Sequence, residues 1–299
     1  MTSEYEDLHL NPEYEGLIYL ADSEYNPPIL RPHKHRELEV NLVVRGSVTY
    51  VMGTKRYSFD AGMLLWLFPG QRHQLVKRSK EARLFVAVFK PNLVEEACQG
   101  ERYEWLKNPQ IGESEALSTR LGAQAFRSIR EAMDGLAEEA LDVATLNREA
   151  GFGINPNFRF QHQDPDWLNA GLRQLLLLCW RSQGEFKARR EEVQMHPAVR
   201  KALDLLENED GETMNREDLA SACGISSAYL TRIFHKQVGV TIGQYRNSMK
   251  LGRFWRAFHG SSQAGLAEAS YTAGFGSYSQ FYRVFKDAYG TGPRKLIPD

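Results

Sequence analysis

The chain has 299 residues, enough for two compact units with separate cores, and a formal net charge of -1. Its three cysteines, Cys98, Cys179 and Cys223, form no CxxC pair, which argues against a disulfide framework and fits a reducing compartment. The acidic start lacks a signal-peptide core, and no stretch approaches the ~18 apolar residues of a membrane helix, so a cytoplasmic protein with no membrane partner is expected.

The charge is unevenly spread. From Leu219 to Asp299 there are ten Lys/Arg and three Asp/Glu, whereas the preceding residues hold 27 basic and 35 acidic side chains. A basic end on an acidic body points to a polyanion for that end.

The predicted fold is α+β in two domains. Leu38–Val44, Val48–Met52, Tyr57–Phe59, Met63–Phe68 and Leu84–Phe89 read as short strands separated by turn residues, so a small barrel or sandwich is expected over 1–110. Helical spacing of Leu117, Leu121, Ala125, Ile129, Met133 and Leu136 predicts a helix over Glu115–Ala140. A second helix is predicted over Pro165–Phe186, with Leu172, Leu175, Leu176 and Cys179 on one face. Such a stripe serves either the chain's own core or a dimer interface, and periodicity does not separate the two. The helical segment therefore spans 111–186 and includes a possible dimerisation region. A charged linker follows at 187–195, and a helical domain at 196–299.

That last domain contains a repeat. Ser226, Leu230, Arg232, Phe234 and Gly239 recur 51 residues later as Ser277, Phe281, Arg283, Phe285 and Gly290. In the first copy Asn215 caps a helix, Gly224 breaks it, Ile225 plugs the core and Ser226 caps the next helix. The second copy repeats this with Gly274-Phe275 and Ser277, in a turn one residue longer. Each copy reads as a helix-turn-helix, whose second helix presents residues to a DNA major groove. Spacing puts Ser227, Ala228, Thr231, Arg232 and His235 outward in the first copy, and Tyr278, Ser279, Tyr282, Arg283 and Lys286 in the second. Arg232 and Arg283 suit bidentate contact with guanine, with a phosphate or a carboxylate as the alternative.

The segments HPAVRKAL, NREDLA, GISSAYLTRIFHKQVG and GFGSYSQFYRVFKDAYGTGP, between His196 and Ile297, resemble the DNA-binding domain of the AraC/XylS regulators. The resemblance implies two helical subdomains joined by a long helix, about Thr241–Phe258, with promoter DNA as partner. Lys250, Gly252, Phe254, Ser270, Leu296 and Ile297 depart from the family pattern.

Near the other end, His33, His35, Glu39 and Gly46 spell H-x-H-x3-E-x6-G, and His73 follows Pro69-Gly70. Alternation lets His33, His35 and Glu39 share a face, with His73 joining from a neighbouring strand. Three imidazoles and a carboxylate suit one divalent transition metal, Zn, Fe, Mn or Ni; the alternative is a hydrogen-bonded pocket without metal. The pattern resembles the two metal motifs of cupin β-barrels, although the second has six residues between Gly62 and Pro69 rather than five. The barrel interior is then the expected pocket for a small-molecule effector, with Tyr50, Trp66 and Phe68 as lining candidates.

Together these features imply a transcriptional regulator, activator or repressor, whose cupin domain senses a small molecule. A homodimer is expected, and RNA polymerase is a partner of an activator. The second reading is a metal-dependent cupin enzyme of dioxygenase or isomerase type carrying a DNA-binding tail.

Overall fold

The computed structural model describes residues 5–22, 32–145, 158–183, 193–207, 214–260 and 265–297. Its N-terminal part is built from strands β1 (Gly16–Asp22), β2 (Leu38–Arg45), β3 (Ser47–Met52), β4 (Lys55–Asp60), β5 (Met63–Leu67), β6 (His73–Arg78), β7 (Arg83–Phe89) and β8 (Leu117–Arg120). Short helices α1 (Pro91–Ala97) and α2 (Glu104–Lys107) follow β7, and α3 (Ala123–Ala137) and α4 (Pro165–Arg181) come later. A small hairpin, β9 (Ala140–Leu141) with β10 (Gln161–His162), lies between α3 and α4.

The strands form two antiparallel sheets, β1-β7-β2-β5-β8 and β4-β3-β6, the latter extended at the β4 edge by β11 (Val193–Gln194). Side chains alternate, so each strand has one face toward the opposite sheet and one away from it. On β2, Glu39 and Asn41 point between the sheets with Leu65 and Leu67 of β5, their cross-strand partners. Val40 and Leu42 share the outer face with Trp66 and Leu64.

That outer face is covered by α3 and α4. Leu168, Leu172, Leu175, Leu176 and Cys179 of α4 are buried in one core with Ile129, Met133 and Leu136 of α3 and with the barrel residues. At about 1.5–3 kcal/mol per buried large side chain, this stripe belongs to the chain's own core rather than to a dimer. Close approach is written into two glycines. A Cβ at Gly16 would lie 2.0 Å from the Val88 carbonyl oxygen, and one at Gly171 would meet the Leu136 side chain.

The predicted helix over Glu115–Ala140 is corrected. Leu117–Arg120 pairs with β5 as an edge strand, and the helix starts only at Ala123, after Gly122. Leu117 and Leu121 have helical spacing, but the exposed edge of β5 takes up the backbone groups of 117–120 instead. The sheet therefore runs past the expected limit at residue 110. Of the expected linker, 187–192 lie outside the described residues, and Val193–Gln194 is a strand rather than free chain.

The C-terminal part is helical: α5 (Pro197–Glu207), α6 (Arg216–Ala222), α7 (Ser227–Val238), α8 (Ile242–Gly260), α9 (Leu266–Thr272), α10 (Tyr278–Tyr289) and α11 (Pro293–Leu296). Leu219, Leu230, Phe234 and Tyr245 centre the first core, and Phe254, Trp255, Phe281 and Phe285 the second. Phe254 packs 4.4 Å from Phe281, ring centre to ring centre, which accounts for an aromatic where the family pattern has alanine. Lys250 donates to the Gly274 carbonyl and Arg253 to that of Ala273, so α8 caps the end of α9. Ser270 is fully buried and satisfied, its hydroxyl donating to the Ala267 carbonyl at 2.7 Å.

The first helical unit sits against the outer face of β4-β3-β6. Val51 and Val76 join the core of Val199, Leu203, Leu206 and Tyr245. Gln74 Nε2 donates to the Tyr245 hydroxyl at 2.7 Å, Arg72 pairs with Glu207, and the Met195 amide donates to the Thr54 carbonyl. Burial pushes the Glu207 carboxyl up to about 7, against the pull of Arg72. The apolar contact and the buried Gln74 hydrogen bond, about 1 kcal/mol, outweigh the half-exposed ion pair as sources of docking energy.

Two glycine substitutions test this packing. Gly16→Ala is expected to destabilise the barrel by about 3 kcal/mol, since it forces a side chain against a backbone carbonyl. Gly252→Ala, in an α8 position where a Cβ meets nothing within 4 Å, is expected to stabilise by about 1 kcal/mol through helix propensity. Denaturant titration of both variants measures the two effects.

Candidate DNA interface and metal centre

Both helix-turn-helix units are built by the predicted devices. The Asn215 carboxamide oxygen accepts from the Asp218 amide at 2.9 Å, and the Ser226 and Ser277 hydroxyls accept from the Tyr229 and Gln280 amides. Gly224 and Gly274 adopt positive φ at the two breaks, and Gly239 and Gly290 do so after α7 and α10. The Ile225 amide donates to the Ala220 carbonyl and the Phe275 amide to that of Ser270, so the turns are local copies of each other.

On α7, Ala228, Arg232 and His235 are exposed, and Ser227 and Thr231 are half-buried. The Thr231 hydroxyl donates to the Ser227 carbonyl at 2.8 Å, one turn back on the helix. The Arg232 guanidinium lies 5.2 Å from the Tyr229 ring centre, a cation–π contact that limits its wandering. On α10, Ser279, Tyr282, Arg283 and Lys286 are exposed. Tyr278 is half-buried and packs on Phe281, so it is partly core. An open groove beside α10 is lined by Tyr282, Lys286, Arg294 and Lys295; the two cations on α11 escaped the sequence reading because they lie outside the repeat.

The three histidines converge. His33 forms an isolated bridge to His73, each donating its amide to the other's carbonyl. One nitrogen of each of His33, His35 and His73 lies within 4.8 Å of the others, so the triad can hold a metal ion. His73 Nδ1–H donates to the Gln71 carbonyl at 2.9 Å, which leaves the buried Nε2 as a lone pair with no hydrogen-bond partner. A backbone carbonyl that holds Nδ1–H in this way fixes the ring with Nε2 free to bind a metal.

Glu39 sits beside the triad, with Oε2 at 3.0 Å from His35 Nε2 and 4.0 Å from His73 Nε2. Oε1 accepts from Asn41 at 2.7 Å. Burial alone would raise its carboxyl, but the His35 hydrogen bond, His73 and Asn41 hold it down to about 2. Burial likewise disfavours charge on His35, yet the bond to Glu39 outweighs it and raises the imidazole above its ordinary value. For His73, burial and the neighbouring His33 bring the value down to about 3. Without metal, the proton of the cluster is thus held between His35 and Glu39.

Of the expected pocket residues, Tyr50 faces between the sheets, 3.4 Å from Asn41 Nδ2, and burial and Glu39 raise its hydroxyl. Trp66 and Phe68 do not join it. Both lie on the outer face, where Trp66 Nε1 donates to Gln183 and packs on Trp180, and Phe68 packs on Trp105. Residue 66 pairs with Val40, whose side chain points opposite to Glu39, so alternation excludes it from the interior.

A barrel with a side-chain cluster between its sheets, joined to two helix-turn-helix units, defines a two-domain regulator with a ligand-binding and a DNA-binding part. A model of the AraC-like ligand binding domain matches residues 16–150, and one of a helix-turn-helix domain matches 219–297. The chain thus carries the two domains of an AraC-type transcriptional regulator, a ligand-binding and a DNA-binding one, and that pairing argues against the cupin-enzyme reading. The melibiose operon regulatory protein of Escherichia coli (strain K12) is 20% identical over 297 residues, covering 96% of this chain and 89% of its own. The xylose operon regulatory protein of the same strain is 32% identical over 99 residues, 33% of this chain and 25% of its own. The solved ToxT structure from Vibrio cholerae O395 matches 96% of this chain and 97% of its own at 13% identity, with a TM-score of 0.34. No helix among the described residues is long and apolar enough to cross a membrane.

The His35–Glu39 pair makes its own prediction for metal-free protein. Glu39→Gln removes the main partner that opposes burial, so His35 is expected to titrate lower than in the unaltered protein, with Glu37 and Glu6 still raising it. NMR titration of the imidazole checks this, and an unmoved His35 would contradict the pairing.

Proposed function

We propose that the chain reads promoter DNA with α7 and α10 in successive major-groove faces and responds to a small molecule held between its sheets. The observation that carries this reading is the matched pair of capped helices with exposed arginines at equivalent positions. Arg232 and Arg283 are assigned to base edges. Ser227, Ala228, Thr231, His235, Tyr278, Ser279, Tyr282 and Lys286 surround them as further base and phosphate contacts.

Salt and substitution test it. Affinity for a target site is expected to fall steeply between 50 and 200 mM salt, by roughly 10³-fold or more if six or more phosphates are neutralised. Arg232→Ala or Arg283→Ala should cost about 1–3 kcal/mol at one base pair when the residue reads a base. A uniform loss across all sequences would assign that arginine to phosphate.

The same reading gives the cluster one divalent transition metal, Zn, Fe, Mn or Ni, held by His33, His35 and His73 with Glu39 as fourth ligand. Its support is the donor set and the unpartnered His73 Nε2. A bound ion would supply an electrophilic anchor for an oxygen atom of the effector, and Tyr50 and Asn41 would orient that effector. Elemental analysis of protein purified without an affinity tag should find about one equivalent of metal, and His33→Ala should lose it. Metal content unchanged by His33→Ala would refute the assignment. A homodimer, and contact with RNA polymerase in an activator, complete the reading and rest on the family resemblance.

A further inference from the structure

Strand β6 has two sides with different duties. His73 points between the sheets into the histidine cluster. Its neighbours Arg72 and Gln74 point outward and hold the first helix-turn-helix unit, Arg72 through Glu207 of α5 and Gln74 through the Tyr245 hydroxyl of α8. Arg72 Nη1 also lies 3.9 Å from Asp204. A small cavity of about 40 Å³ lies at this junction, lined from the barrel by Arg72, His73 and Gln74 and from α5 by Asp204 and Glu207 among others. One ligand candidate of the cluster therefore shares a wall with the DNA-binding domain.

We infer that β6 transmits the state of the histidine cluster to the first helix-turn-helix unit, with His73 as the input and Arg72 and Gln74 as the clamp. The inference rests on the metal reading of the cluster and extends it to regulation. The His73 backbone is fixed to His33 by two hydrogen bonds. An ion that draws the imidazoles together acts on that bridge, and the residues either side of His73 move only with it. Coupling of this kind is reciprocal: the factor by which a bound ion favours the docked clamp is the factor by which docking tightens the ion, so loosening the clamp weakens metal binding.

Hydrogen exchange on the full chain, followed by mass spectrometry, tests the clamp and the transmission separately. In metal-free protein, Arg72→Ala/Gln74→Ala is expected to speed exchange in α5 and the first half of α8 by about tenfold, with β2, β5 and β7 unchanged. Tyr245→Phe removes the Gln74 contact from the other side without touching the barrel, and should give a smaller change of the same kind. Unchanged exchange at α5 and α8 in both variants overturns the clamp. Adding Zn(II) or Ni(II) to the wild-type chain is expected to slow exchange in α5, and the double variant should bind the same ion several-fold more weakly. An ion that binds the triad while leaving α5 indifferent overturns transmission alone. Failure of every ion tested to bind overturns the metal reading and the transmission together, while the clamp stands on the variants.

Discussion

Strand alternation is the constraint on which the rest depends. Each strand of the two sheets carries one side chain inward for every one outward, and the chain uses both faces. Inward positions hold the polar cluster of His73, Glu39, Asn41 and Tyr50. Outward positions of the five-stranded sheet are covered by α3 and α4, and those of the smaller sheet by the first DNA-binding unit. A sheet whose outer face is apolar must be covered, so the regulatory output is docked by the same burial that completes the fold. Val51 and Val76 show this directly, because they are strand residues that belong to the core of a helical unit.

The inner cluster is an electrostatic compromise. Burying Glu39 would neutralise it were it alone, and burying His35 would do the same; placed 3.0 Å apart they keep each other charged. His73 is left neutral beside them, with its Nε2 lone pair turned into the cluster. A metal ion would compete with the shared proton for the same nitrogen of His35. Any ion held by the triad would therefore have to displace that proton.

Much of this was legible in the sequence, for physical reasons that can be located. The helix-turn-helix units were legible because their signals are local: Asn215, Ser226 and Ser277 cap, Gly224 and Gly274 turn, and each acts within a few residues. The convergence of His33, His35 and His73 was legible from a motif, though the strand bridge that makes it was not. The helix predicted over Glu115–Ala140 failed because Leu117 and Leu121 satisfy a helical period while a distant edge, β5, claims their backbone. Trp66 and Phe68 were misplaced because burial does not reveal which side of a sheet a residue faces; the register against Val40 does. Arg72 and Gln74 carried no signal at all, since their partners lie more than a hundred residues away.

The two DNA-binding units, alike in sequence, are unlike in their surroundings. The departures at Gly252 and Phe254 suggest from sequence alone that the linker helix sets them apart. The structure moves that difference elsewhere. Phe254 is a core residue of the second unit, and Lys250 and Arg253 bind α9 to α8 through its terminal carbonyls. The first unit is the one tied to the barrel, through Gln74, Arg72 and the strand β11. Among the described residues, a change in this docking bears on the first unit, to which α10 is joined through α8. The helix α8, which Gly252 weakens and which Lys250 and Arg253 fasten to the end of α9, links the second unit to the first.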